Sequence, residues 1–298
     1  MRVTFSAFSN TLASQLQRLS QRQAQLQNQV STGLRITNLN DDPAAMGRVL
    51  NLQTEIQQTR QYELNNGHAT EISQVSYSSV SALKTVSDRA GELVLLGGGV
   101  TSADSSKAYA DEANQMLEQV VQTGNAQFNG QYIFGGTKTD QPPFTAVRDA
   151  DGNISSVSYQ GSDKAPGIRV GEDSTISPYT DGTTNQQFAD FANHLVALRS
   201  ALNSQAPAAL QSVQSNLQTS EDHFLTAISN IGAVQTRLES NDSQNQARFS
   251  SLQSLTSKDT DVDLAPTVVK LSQTATAYQA AMQSGAKILQ TSLLDYLK

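Results

Sequence analysis

The sequence predicts a mainly α fold with a small β insert: a long antiparallel helical bundle or coiled coil drawn from both chain ends, with a β-rich domain inserted mid-chain. Three observations carry this. Apolar residues recur at heptad spacing near each end, and helical spacing fills most of the chain between them. That spacing lapses once, between residues 130 and 182, where Gly, Pro, Asp and short β-prone runs take over.

The elements follow in order. From Phe5 a heptad places Leu12, Leu19 and Leu26 at one seam position and Leu16 and Val30 at the other, interrupted by Ser9 and Gln23. Gln21, Gln25 and Gln29 occupy its outer faces, and the helix is expected to stop near Ser31-Thr32-Gly33. A second helix is expected at Asp42-Pro43, because Asp caps N-termini and Pro suits the first helical position. Its apolar face follows Val49, Leu52 and Ile56. A third series, Ile72, Val75, Leu83, Val86, Ala90 and Leu93, runs into Gly97-Gly98-Gly99, where the pattern must break. A short helix is expected around residues 109–121.

Within the insert, Asp151-Gly152-Asn153 reads as a hairpin turn between strands at 144–147 and 154–159, with a further strand at 168–170. Helical spacing resumes with Phe188, Phe191, Leu195, Leu198 and Leu202, and beyond Pro207 with Leu210, Val213, Leu217, Phe224, Ile231 and Leu238. The last helix mirrors the first. Leu264, Val268, Leu271, Ala275, Tyr278, Met282 and Leu289 keep heptad spacing, and Leu293, Leu294 and Leu297 end the chain. The expected organisation is a terminal coiled-coil domain (1–42 and 258–298), a helical bundle (43–129 and 183–257) and the β-rich insert (130–182), with the two halves side by side and the termini together.

Composition narrows the function. The 298 residues leave room for two or three domains. Charged residues are only 16%, and the net charge of −7 with no basic cluster argues against nucleic-acid or anionic-membrane partners. The absence of cysteine excludes disulfides, thiolate metal sites and cysteine nucleophiles. The first twelve residues lack the apolar core of a secretory signal, and no stretch approaches the roughly 18 apolar residues of a membrane span. The expectation is no membrane insertion, and either an intracellular protein or one exported by a route that reads no such signal.

The sequence holds no constellation built for chemistry. His68, His194 and His223 have no partner at metal-ligand spacing and read as surface or packing residues. Asp259-Thr260-Asp261-Val262-Asp263 opens like a calcium loop, yet Leu264 replaces the required Gly and Lys270 the closing Glu. Asp261 or Asp263 is instead expected to cap the final helix, with Pro266 in its first turn. Asp41-Asp42 before Pro43 fits a cap better than an acid/base pair. Gly97-Gly98-Gly99-Val100-Thr101 lacks the Lys-Ser/Thr of a phosphate loop, and Gly135-Gly136 stands alone. No catalytic residue, cofactor or metal is expected, and the chain is expected not to be an enzyme. What remains is the pair of end helices. Alone, an end this polar buries too little to offset the ordering of roughly thirty residues, so both ends are expected to fold fully only when neighbouring subunits cover their seams.

The ends resemble the flagellin superfamily of bacterial axial proteins. The residues are Ser31-Thr32-Gly33-Leu34-Arg35-Ile36 and Asp41-Asp42-Pro43-Ala44-Ala45, then Asp261-Val262-Asp263-Leu264-Ala265 and Ser292-Leu293-Leu294-Asp295-Tyr296-Leu297. The likeness covers roughly the first hundred and last forty residues and hardly touches the insert. Met1-Arg2-Val3, the segment Gln127-Phe128-Asn129-Gly130-Gln131-Tyr132-Ile133-Phe134-Gly135-Gly136 and Leu294-Asp295-Tyr296-Leu297 lean toward the members that join hook to filament. A filament-forming flagellin subunit is the alternative, and a hydrolase or metal module within the insert is a third, remoter reading. The resemblance implies a structural adaptor exported unfolded by the flagellar type III apparatus without a cleaved signal peptide, and located outside the cell in the flagellum. It implies a ring of copies of itself between hook-associated protein 1 and flagellin, and an export chaperone on the C-terminal helix. It further implies that Leu12, Leu16, Leu19, Leu26 and Val30 pack with Leu264, Leu271, Tyr278 and Leu289 in an inner tube, with Val268, Met282, Leu293 and Leu297 completing the assembly interface.

Overall fold

The computed structural model describes residues 2–38, 40–99 and 102–296, and side chains within 10–287 of these. Helices α1 (Arg2–Thr32), α2 (Pro43–Gly98) and α3 (Ala103–Gly124) precede the strands β1 (Gln127–Phe128), β2 (Gln131–Tyr132), β3 (Phe144–Arg148), β4 (Ile154–Tyr159), β5 (Ile168–Arg169) and β6 (Thr175–Ile176). Helices α4 (Gly182–Ser204), α5 (Pro207–Thr260) and α6 (Leu264–Tyr296) follow. The fold is mainly α with a small β insert, as the periodicity predicts. It divides into two compact units, residues 1–58 with 249–298, and residues 59–248.

One expectation is revised. The second and third apolar series do not mark two helices but lie on α2, 56 residues long. The apparent gap is a seam of small and polar residues: Thr59, Asn66, Ala69, Ser73 and Ser76 are all buried, one heptad separating the first two and alternating steps of three and four running on from Asn66 through Val80, Leu83, Ser87, Ala90 and Val94. A hydrophobicity pattern breaks where the helix does not.

In the unit spanning 59–248 this face meets α5. Val80, Leu83 and Leu93 share one core with Leu210, Val213, Leu217, Phe224 and Ile231, while Ala69 packs with Leu238, Val170 and Ile176. Asn66 Nδ2 donates to the Leu238 carbonyl at 3.1 Å, which fixes the register of the two helices. Helix α4 adds the aromatic centre. Phe188 stacks on Phe224 at 5.4 Å, Phe191 meets Phe224 edge-on at 5.0 Å, and Phe134 meets Phe188 edge-on at 5.8 Å.

The β insert is three antiparallel two-stranded ribbons. Asn129 and Gly130 form the turn between β1 and β2 at φ 50° and 78°, the left-handed pair that a two-residue hairpin requires. The expected hairpin at Asp151-Gly152-Asn153 joins β3 to β4, with Asp149 Oδ1 accepting from the backbone N–H groups of Asp151 and Asn153 at 3.0 and 2.9 Å.

Candidate assembly interface

In the unit formed by residues 1–58 and 249–298, the family-like motifs fold into a clip between two loops. Helix α1 ends at Gly33, whose φ of +72° is reached at no steric cost only by glycine. The Gly33 carbonyl accepts from Val262 N at 2.9 Å, Arg35 N donates to the Thr260 carbonyl at 2.6 Å, and Leu34 bridges to Asp261. Buried Ile36, 4% exposed, anchors the loop. Arg35 also reaches the Asp259 carbonyl through Nη2 at 2.8 Å and Asp42 through Nη1 at 3.3 Å. It thereby satisfies two carbonyls at the end of α5 that have no helical partner.

The carboxylates of this loop cap and clamp. Asp42 Oδ1 accepts from Ala45 N at 3.0 Å, the N-cap expected before Pro43, and Asp41 Oδ2 accepts from the backbone of Thr37 and Asn38 at 3.0 and 2.8 Å. Arg48 grips Asp259 with two parallel bonds of 3.0 and 2.9 Å. The Asn38 N–H, then that of Thr37, holds the Asp41 carboxyl below the usual range, and the Ala45 N–H, then Arg35, does so for Asp42. The Arg48 guanidinium lowers Asp259 in the same way. At the far side of the clip, Asp263 Oδ1 accepts from Ala265 N at 3.2 Å and caps α6, with Pro266 in the first turn.

Beyond the clip α1 and α6 pack against each other. Two anchors give their direction: Gly33 bonds to Val262, and Leu12 lies against Gly285, so the helices are antiparallel. A Cβ at position 285 would stand 2.7 Å from Leu12 Cδ2, so glycine makes room for the leucine. On α1, Leu26 is buried at 2% exposure, and Leu12, Leu16, Leu19 and Val30 are half-buried. The covered face of α6 runs Thr267, Leu271, Thr274, Tyr278, Ala281 and Gly285, again in alternating steps of four and three.

The sequence-derived interface residues therefore separate. Leu271 and Tyr278 lie on the covered face, whereas Leu264, Val268 and Met282 are 50%, 48% and 50% exposed. The side chains of Phe5, Leu289 and Leu293, and all of Leu297, lie outside the described residues. Leu34, Leu50, Leu255 and Val269 add further exposed apolar surface in this unit. Sequence reasoning missed the Arg48–Asp259 clamp, whose partners lie 211 positions apart.

Elsewhere two of the three histidines have local contacts within the fold. His68 lies against Phe128, and His194 Nδ1 sits 3.0 Å from Ser220 Oγ, with burial lowering its pKa. Among the described residues no three His, Asp or Glu side chains gather as metal ligands, and no helix is long and apolar enough to cross a membrane.

Residues 4–139, which include α1 from its third residue, the clip loop, α2 and α3, match the bacterial flagellin N-terminal helical region. The chain is 28% identical over 290 residues to flagellar hook-associated protein 3 of Escherichia coli (strain K12), covering 91% of both chains. It is 28% identical over 235 residues to the protein of the same name from Salmonella typhimurium, covering 72% of this chain and 74% of that one. Its fold resembles the crystal structure of flagellar hook associated protein-3 from Legionella pneumophila, with a TM-score of 0.61 at 13% identity, over 70% of this chain and 97% of that chain. Residues 4–139 thus match the flagellin N-terminal helical region, and along nine-tenths of its length the chain is similar to flagellar hook-associated protein 3 of Escherichia coli.

Proposed function

We propose that the chain is a non-enzymatic junction adaptor of the bacterial flagellum. It joins the hook, through hook-associated protein 1, to the flagellin filament. The observation that carries this reading is sequence likeness to hook-associated protein 3 over 91% of the chain. The half-exposed apolar residues of α6, Leu264, Val268 and Met282, support it as surface suited to neighbouring subunits. In this reading the terminal helices form the inner part of a ring of copies, with the bundle and the β insert as further layers. Leu12, Leu16, Leu19, Leu26, Val30, Leu271 and Tyr278 join α1 to α6, and the exposed residues face the next copy. The chain leaves the cell through the flagellar type III apparatus, guided by a chaperone on α6.

A deletion strain tests the role. Cells lacking the gene are expected to build hooks and shed flagellin into the medium, and expression of this chain restores filaments. A strain that still attaches filaments overturns the adaptor reading. The second reading, a filament subunit, is favoured by the flagellin-type region at residues 4–139. It predicts that purified protein polymerises alone into long filaments.

A further inference from the structure

Because β3 and β4 form a two-stranded ribbon, each strand has one edge without a neighbouring strand. Both edges are met by an asparagine. Asn125, the C-cap of α3, donates from Nδ2 to the Phe144 carbonyl at 2.9 Å and accepts from Phe144 N at 3.0 Å. Asn193 on α4 accepts from Val157 N at 2.9 Å and donates to the Val157 carbonyl at 2.9 Å. A primary amide presents the same donor and acceptor as a peptide group, so each asparagine occupies the place of one residue of a third strand.

The two edges are otherwise unlike. Strand β3 is preceded by Pro142-Pro143 and ends at Arg148, and proline and charge are the features that normally prevent strand addition. Strand β4 reads Ile-Ser-Ser-Val-Ser-Tyr, without charge or proline, and Ser155, Ser156 and Ser158 are exposed. The closure of its edge falls to the neighbouring helix and its one amide.

We propose that Asn193 is an edge guard, and that what it excludes is β4 of a second copy. The strand is self-complementary. Antiparallel pairing centred on Val157 sets Ser156 opposite Ser158 of the other copy, with no charge opposing a like charge. The hydroxyl pair so formed repeats the one already present inside the ribbon, where Thr145 Oγ1 and Ser158 Oγ lie 2.9 Å apart.

The test uses the full chain and its lack of cysteine. Asn193→Leu removes the amide while keeping the branched shape and the number of heavy atoms. Into this background Ser156→Cys and Ser158→Cys are introduced in separate preparations, which are mixed under mild oxidation. Opposed residues in the intended pairing have Cα atoms about 4.5 Å apart, within disulfide reach. The cross-link between positions 156 and 158 is expected to form about tenfold more than in the same mixture retaining Asn193, the scale of one or two lost hydrogen bonds. A variant with unchanged circular dichroism and no added cross-linking overturns the proposal, since α4 alone would then close the edge. Amide exchange on the unaltered chain gives a second reading that needs no variant. The Val157 N–H is expected to exchange about tenfold more slowly than that of Ala146, which lies opposite it and faces outward from β3, and equal rates overturn the guard.

Discussion

The α2/α5 core and the α1/α6 pair are both antiparallel packings in steps of three and four, yet they bury very different side chains. In the first, Leu83 and Leu93 of α2 and Phe224 of α5, with Phe188 and Phe191 of α4 packed against them, are at most 1% exposed. In the second, among the described leucines of the α1 seam only Leu26 is buried, and it faces an α6 surface rich in Thr, Ala and Gly. The core unit satisfies its apolar residues internally. The terminal pair leaves Val268 and Met282, two heptads apart, half exposed beside a narrow seam. A helix pair that leaves apolar residues exposed along one flank of its own seam is suited to further helices, the distinction between a domain and a subunit of an assembly.

The sharpest way to break that contrast is truncation in each unit. Phe224 contacts both Phe188 and Phe191, so Phe224→Ala is expected to destabilise the free chain by about 3–5 kcal/mol. Leu16 is only half-buried, and Leu16→Ala is expected to cost about 1 kcal/mol in the free chain, scaled from its partial burial. Denaturant midpoints measure both. Equal losses would mean that the terminal pair is as self-sufficient as the core.

Next in size is Leu271→Asp, which sets a charge on the covered face of α6 opposite α1. Local docking is expected to weaken by on the order of 1–3 kcal/mol, with incorporation into the flagellum lost while the α2/α5 amides keep their exchange protection. Normal incorporation would remove Leu271 from the proposed interface.

Much of this was legible because helical heptads need only one sequence to be seen. The seam leucines of α1, the Asp42-Pro43 and Asp263 caps and the β3–β4 turn are local signals, and the structure places each where its chemistry requires. The α6 seam was harder. Its covered positions include Thr267, Thr274, Ala281 and Gly285, which score as polar or small, so a search for apolar spacing also collects Leu264, Val268 and Met282. The polar stretch of α2 misled for the same reason. Contacts such as Arg48–Asp259 and Asn193–Val157 lie beyond any local pattern, because the fold must bring the partners together first.

The clip offers a smaller, pH-dependent test. Asp41, Asp42 and Asp259 titrate below their ordinary value of 3.8 when folded, so the folded clip binds fewer protons than the unfolded chain. Its contribution is complete above that value and is lost as pH falls through the lower folded values. The Arg35 and Val262 amides are expected to lose protection at pH 3 relative to pH 6, after correction for intrinsic rates, while Phe224 keeps its own. Asp259→Asn should flatten this dependence, and an unchanged acid response in that variant would remove the Arg48 clamp from the account.

The smallest effect on the isolated chain discriminates best between packing within a subunit and packing between subunits. Val268 and Met282 are 48% and 50% exposed, so serine at either position leaves the free chain's stability within about 0.5 kcal/mol. If these residues face the next copy, the loss appears only on assembly, where each half-exposed side chain becomes covered and contributes about 1 kcal/mol of burial per contact. Because every copy in a ring repeats the contact, Val268→Ser and Met282→Ser combined are expected to reduce incorporation while leaving the unfolding midpoint unchanged. Reduced stability with normal incorporation would place both residues on the intramolecular side and leave the terminal pair without an exposed docking face on α6.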